Sequence, residues 1–492
     1  MSAPSRRSGS WRRHFCGALA IVAATLAAHA AAAPLPRAIG RAFLDAGIPL
    51  TAVAIVVQEA GTPKPLFAYD AERAMNAASV MKLVTTFAAL ELLGPDYRWK
   101  TETYLGGPLA DGTLNGDLIV KGYGDPKITI EQWQRFMAAL RAQGLTSVAG
   151  DLVLDRSHFR LPPHDPAAFD GEPLKPYNVG PDALLVNWKS VRFVFTPSAA
   201  GDAVEVRAEP PLPRIALGPP PRLGSGECND WRTAVGAAFA NGAASARVTF
   251  AGRYPASCAE RDWYLALLDV PNYAHAMFTT YFVQAGGQFS GTVKEGRAPA
   301  GIAPFVTVES PPLYDIVRDV NKLSNNVMAR QLFLTLATTA FVPPVTPGQA
   351  AETIRRWLDK RKLRMPELVL ENGSGLSRQE RISAGSLARL LVAADASKVR
   401  DEFVSSLAVA AVDGTVERRF QNGSVAGQAL LKTGSLEGVR GLAGYVIDAE
   451  GRRWIVVVLI NHPNAARGSP ALDFLVQWVY RNGAAWRQVI QR

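Results

Sequence analysis

The sequence predicts an α+β protein in which helices flank an antiparallel sheet and a large β-rich domain is inserted between the two halves of that core. Three observations carry this. A β-rich run followed by a helical one opens the chain, a long middle stretch breaks into short strands between Gly and Pro, and the last part gives helices, three strands and a closing helix. With 492 residues, 48% hydrophobic and 20% charged, the chain has the length for two or more domains.

Residues 1–30 read as a secretory signal. Arg6, Arg7, Arg12 and Arg13 form a basic start, Phe15 to Ala28 an apolar stretch, and Ala28-His29-Ala30 a small-residue cleavage site. The apolar stretch is short for a bilayer span, so cleavage is expected rather than anchoring. Arg12-Arg13 is a weak match to a twin-arginine signal, and Cys16 lacks the apolar surroundings of a lipoprotein site. The mature chain is thus expected to be exported, periplasmic and soluble, with no stable membrane anchor. In an oxidising compartment its remaining cysteines, Cys228 and Cys258, are expected to pair as a disulfide. Losing the four arginines lowers the formal charge from +10 to about +6, a mild excess that suits a polyanionic envelope or an anionic substrate. No Lys/Arg run is interleaved with aromatics, so nucleic acid is not an expected partner.

Residues 31–96 are expected to begin the core. Thr51 to Gln58 is a strand, with turn signals at Pro63 and Pro65. From Ser79 the period becomes helical, through Met81, Val84, Phe87, Ala88 and Leu92, until Gly94-Pro95 stops it. Residues 97–298 are expected to form the inserted domain, with a subdomain at about 178–265. Asp117–Val120 and Asp151–Leu154 are short strands, and the proline-rich stretch from Pro210 to Pro221 is suited only to a loop or a sheet edge. A helix from Tyr273 to Ala285 leads back. Residues 299–492 complete the core with helices at Leu313–Val320 and Val327–Leu336 and strands at Ala429–Thr433, Gly441–Ile447 and Trp454–Ile460. Asp448 to Gly451 turns the last two into a hairpin, and a helix from about Ala471 to Tyr480 closes the chain. There, Phe474, Leu475, Trp478 and Val479 are expected to pack on the sheet rather than serve as an amphipathic anchor.

Three short strings stand out. In Ser79-Val80-Met81-Lys82, residues three apart on a helix share a face, so Lys82 sits beside Ser79. A serine hydroxyl is a poor nucleophile until a base takes its proton. Lys82 can be that base when neutral, a state that burial and a second cation such as Lys432 both favour. In Ser324-Asn325-Asn326, Ser324 would pass a proton between Lys82 and a leaving amine while the Asn326 amide binds substrate backbone. In Lys432-Thr433-Gly434-Ser435, on a strand, Lys432 and Thr433 would hold a carboxylate and Gly434 would leave room for a ligand. The Ser435 N–H would join that of Ser79 in an oxyanion hole, and an extended peptide could add itself to this edge. Singly, each string also fits a helix surface, a loop or a polar edge strand.

Other chemistries find little support. His158, His164, His275 and His462 form no His-Glu-x-x-His, and there is no Cys-x-x-Cys, so no metal and no cofactor are expected. There is no Gly-x-Ser-x-Gly elbow, and Gly122-Tyr123-Gly124-Asp125-Pro126 is not a phosphate loop. Asn372-Gly373-Ser374-Gly375 reads as a structural turn.

The ordered strings are those of active-site serine enzymes that bind penicillin. With Gly124-Asp125-Pro126, Asn372 to Arg378 and Val412-Asp413-Gly414-Thr415, the chain resembles the class C, low-molecular-mass penicillin-binding proteins, the D-alanyl-D-alanine carboxypeptidase/endopeptidases, over nearly all of its mature length. The resemblance implies a transpeptidase domain of the serine β-lactamase/penicillin-binding-protein fold, with the long insertion as the family's own feature. It implies attack by Ser79, Lys82 as base, Ser324 as relay, and Asn326, Lys432, Thr433, Gly434 and Ser435 as substrate-binding. It also implies peptidoglycan stem peptides or D-alanyl cross-links as substrates and β-lactam antibiotics as covalent inhibitors. Tyr123 stands where another glycine is usual. Two other readings stay open: a β-lactamase, for which Glu367 to Asn372 is a faint match to a glutamate-bearing loop, and a peptidoglycan-binding scaffold without activity.

Overall fold

The computed structural model describes residues 34–490 apart from 63 and 422, and excludes the side chains at 484 and 486–490. The expected signal peptide, Cys16 and Pro63 lie outside the described residues. At the centre is a six-stranded antiparallel sheet. Its strands are β1 (Val53–Glu59), β2 (Phe67–Tyr69), β3 (Ala408–Val409), β4 (Ala429–Leu436), β5 (Val439–Ile447) and β6 (Arg453–Asn461), in the order β2-β1-β6-β5-β4-β3. The two ends of the chain meet where β1 pairs with β6, Val56 opposite Val457.

Strand β6 is almost wholly apolar because both its faces are buried. Ile455, Val457 and Leu459 enter one core, while Trp454, Val456, Val458 and Ile460 enter the other. The first core is covered by helices α2 (Lys82–Leu93), α3 (Leu313–Lys322), α4 (Asn326–Ala337) and α5 (Ala384–Asp395). The second is covered by α1 (Arg37–Asp45) and α6 (Ser469–Ile490), through Ile39, Phe43, Leu475 and Val479. Trp478 meets Phe67 edge-on at 5.8 Å. No helix among the described residues is long and apolar enough to cross a membrane.

Residues between Lys100 and Glu309 build separate sheets around a third core. A five-stranded sheet takes Val293–Glu295, Leu152–Asp155, Leu118–Gly122, Lys100–Leu105 and Val306–Glu309 in that order. The last strand pairs with Lys100–Leu105, so this sheet runs past the return expected at 299. Helices Ile130–Ala142 and Val270–Gln284 pack here through Trp133, Phe136, Met277 and Phe278. The proline-rich segment contributes Ile215–Leu217 at a sheet edge, where missing N–H donors cost least. Cys228 and Cys258 are joined in a disulfide, with Cα atoms 4.9 Å apart.

Candidate active site

Ser79 lies in a 3₁₀ turn, Ala78–Met81, that leads directly into α2. The sequence places Ser79 on the α-helix itself; the tighter turn is a refinement with a chemical consequence. In a 3₁₀ turn residues three apart eclipse one another, so Lys82 stands directly over Ser79. The turn is shaped by Ala78 at φ +47°, a left-handed conformation costly for a residue with a Cβ. Its surroundings enforce it. The Ala78 N–H donates to Asn76 Oδ1 at 2.8 Å, and Asn76 in turn exchanges two hydrogen bonds with Asn461 at the end of β6. Gly375 fits closely against the same turn: a Cβ there would stand 1.9 Å from the Ala78 carbonyl oxygen.

The Lys82 amine is fully buried and makes three bonds. It donates to Ser79 Oγ at 2.9 Å, to Asn326 Oδ1 at 2.6 Å and to the Ser374 carbonyl at 2.5 Å. Burial holds its pKa well below the usual 10.5, and the nearby Lys432 charge lowers it further, against a smaller opposing pull from Glu380. Lys432, also fully buried, donates to Ser324 Oγ at 2.8 Å and to the Thr433 carbonyl at 3.0 Å; burial pushes its pKa down to about 7.

The three strings therefore meet in one cleft. Ser324, at φ +57°, sits in the short link between α3 and α4, and Asn325 caps α4 by accepting from the Met328 N–H. The hydrogen-bond pattern differs from expectation in one respect: Ser324 is bonded to Lys432, and it is Asn326 that contacts Lys82. Asn326 thus presents its carbonyl oxygen to the lysine, and its NH₂ group takes no acceptor among the described residues. Strand β4 lies with Lys432 to Leu436 beside the turn of Ser79, and β3 pairs only with Leu430 and Leu431, so among the described residues no strand pairs with the edge beyond. Gly434 is needed for a reason other than ligand room alone. A Cβ there would fall 2.4 Å from the Ala77 carbonyl oxygen and 3.2 Å from the Ser79 nitrogen, so the protein's own chain makes the close approach.

Two contributors escape sequence reasoning. The turn Asn372 to Gly375, read as structural, supplies the Ser374 carbonyl that holds Lys82. That turn is organised by Glu380, 1% exposed, whose carboxylate accepts from the backbone N–H groups of Glu371, Asn372, Gly373 and Gly375. Glu367 has a different task, accepting from the Ser383 N–H at 3.0 Å and from Ser386 Oγ at the start of α5. Tyr123 has a different task, donating its hydroxyl to Glu102 on the Lys100–Leu105 strand. No group of His, Cys, Asp and Glu able to hold a metal occurs among the described residues.

Comparison with known proteins places this architecture. The fold is that of penicillin-binding protein 4 (dacB) from Haemophilus influenzae, whose crystal structure superposes with a TM-score of 0.73 at 23% identity over 89% of this chain and 99% of that one. The chain belongs to the D-Ala-D-Ala carboxypeptidase 3 (S13) family, whose model matches residues 36–481. It is similar to D-alanyl-D-alanine carboxypeptidase DacB of H. influenzae, 25% identical over 80% of this chain and 82% of that protein. A D-alanyl-D-alanine carboxypeptidase of Actinomadura sp. is 28% identical over 84% and 78% respectively. The protein is a serine-type D-Ala-D-Ala carboxypeptidase.

Proposed function

We propose that the chain cleaves peptidoglycan stem peptides ending in D-alanyl-D-alanine, and D-alanyl cross-links, through an acyl-enzyme on Ser79, and that penicillins acylate the same hydroxyl. The observation that carries this is the Lys82 amine 2.9 Å from Ser79 Oγ, buried and driven toward its neutral form. Once neutral, Lys82 keeps its two N–H bonds to Asn326 and Ser374 and turns its lone pair to Ser79, taking the serine proton as Oγ attacks the carbonyl carbon of the penultimate D-alanine. The Ser79 and Ser435 N–H groups receive the developing oxyanion. Collapse breaks the peptide bond, and the leaving amine takes a proton from Lys432 through Ser324, whose hydroxyl accepts from the Lys432 amine. Water then attacks the ester, its proton passing through Ser324 to Lys432, while Lys82 returns the proton it took to the departing Ser79 oxygen.

Substrate enters as an extended strand on the open edge of β4, its terminal carboxylate toward Lys432 and Thr433 and its backbone carbonyl toward the free Asn326 amide. The Haemophilus relative has also been solved complexed with a β-lactam. Stable acylation is favoured over β-lactamase turnover because Glu367 and Glu380 both spend their carboxylates on backbone or hydroxyl donors, leaving neither to activate a deacylating water. The disulfide agrees with an oxidising, extracytoplasmic setting, and we place the enzyme in the periplasm.

The test is labelling with a fluorescent penicillin and mass mapping of the adduct, alongside release of D-alanine from a D-Ala-D-Ala peptide. One adduct is expected, on Ser79, and none in Ser79→Ala or Lys82→Ala. An adduct elsewhere overturns the mechanism, rapid penicillin turnover supports a β-lactamase, and cell-wall binding without D-alanine release supports a scaffold.

A further inference from the structure

The segment Val412-Asp413-Gly414-Thr415 ties the two walls of the cleft together. On one side it is fastened to the Ser324 link. Asp413 accepts from the Lys322 amine, two residues before Ser324, and from the Val409 N–H at 2.8 Å. Gly414, at φ +60°, lies so close that a Cβ would meet the Lys322 carbonyl oxygen at 2.7 Å and the Ala408 methyl at 2.8 Å. Val416, fully buried, anchors the far end. On the other side Thr415, exposed, places its hydroxyl oxygen 2.8 Å from that of Thr433 on β4. Thr415 thus reaches the carboxylate end of the cleft without belonging to any of the three strings.

We infer that Thr415 is a positioning residue for the substrate carboxylate, acting through Thr433; the inference deepens the acyl-enzyme reading above and rests on it. A hydroxyl has one proton and two lone pairs. In the free enzyme Thr433 can donate to Thr415. When a carboxylate arrives, an acceptor only, Thr433 must turn its proton to the anion, and its oxygen is then free to accept from Thr415. A donor standing behind a donor polarises it and strengthens the bond to the anion. The rigid fastening of Asp413 and Gly414 holds Thr415 at the distance this relay needs. A substrate whose leaving group carries no carboxylate gains nothing from it.

The test compares two substrates on purified enzyme: an acyl-D-Ala-D-Ala peptide, and a thioester of the same acyl group whose leaving thiol bears no carboxylate. Thr415→Val, which keeps the side chain's shape, is expected to lower kcat/KM for the peptide about tenfold, the size of one hydrogen bond, and to leave the thioester unchanged. Thr415→Ser keeps the donor and should restore the peptide rate. In a Thr433→Val background, Thr415→Val should cost nothing further. Equal loss on both substrates, an unchanged peptide rate, or the same loss with Thr433 already absent would overturn the inference. If wild type neither releases D-alanine nor takes penicillin on Ser79, the acyl-enzyme reading falls instead. If it does both and Thr415→Val treats the substrates alike, only the role of Thr415 falls.

Discussion

The amine of Lys82 and the hydroxyl of Ser79 stand 2.9 Å apart, eclipsed by a 3₁₀ turn, with the amine wholly removed from water. A lysine so placed is a base because its charged form is penalised, not because its partner is a good acid. Lys82→Arg should therefore fail as completely as Lys82→Ala, since a guanidinium stays protonated. Both are expected to lower the acylation rate by on the order of 10²–10⁴-fold, the usual contribution of a positioned base. Stopped-flow penicillin binding measures this; an Arg variant close to wild type would show that the charge, rather than proton transfer, is what counts.

The pH profile should carry the signature of both lysines. Acylation needs Lys82 neutral, which gives an acid limb. It is helped by a charged Lys432, whose pKa of about 7 gives a limb that falls as pH rises past neutrality in the free enzyme. Lys432→Met removes the second cause depressing Lys82, so the acid limb should move upward in pH. Stability follows with a definite sign. Between about 7 and its usual 10.5, the unfolded chain binds a proton at Lys432 that the folded chain does not, so stability rises with pH across that window. In Lys432→Met that contribution is absent, and the variant's melting temperature should gain least on wild type at pH 10 and most near pH 7. Parallel curves for the two proteins would show that Lys432 is not depressed in the fold.

How much of this is legible in the sequence differs by residue. Ser79, Lys82, Ser324, Asn326 and Lys432 carry their chemistry in side chains at fixed local spacings, and such spacing survives in a bare sequence. The core strands were equally readable, because β6 must be apolar on both faces and says so in Trp454 to Ile460. Glu380 was not, since it acts on backbone N–H groups of a loop whose path a sequence does not fix. Nor was the bonding of Ser324 to Lys432 rather than Lys82, which depends on how a short link between helices meets a strand over a hundred residues later. The pairing of Asn76 with Asn461 joins opposite ends of the chain and leaves no local pattern.

Glu380 yields a separate prediction. Glu380→Gln exchanges an oxygen for an NH₂ group that cannot accept, so either Gly375 or the three donors from Glu371 to Gly373 lose their partner. Leaving buried N–H groups unpaired should cost about 2–4 kcal/mol of stability, read from denaturant unfolding. The loop carries the Ser374 carbonyl, so acylation should also slow, and by more than the same loss of stability produces in a core variant such as Val84→Ala. Unchanged acylation would mean that the Ser374 carbonyl is dispensable to Lys82.

Gly434 separates packing from chemistry at the heart of the cleft. Its backbone sits under the Ala77–Ser79 turn, and the methyl of Gly434→Ala would fall 2.4 Å from the Ala77 carbonyl oxygen, a backbone atom that also accepts from the Val80 N–H. The strand must then move off the turn by several tenths of an ångström, and Ser435 moves with it. Catalytic geometry tolerates such a shift poorly, so the acylation rate should drop on the order of 10²-fold. The core behind β4 is untouched, because Leu431 and Leu442 pack on the opposite side of the sheet. Loss of unfolding free energy should therefore stay near 1–2 kcal/mol, the range of a small overpacking. A Gly434→Ala enzyme that still acylates at wild-type rate would show that the Ser435 N–H does not serve the oxyanion from this strand.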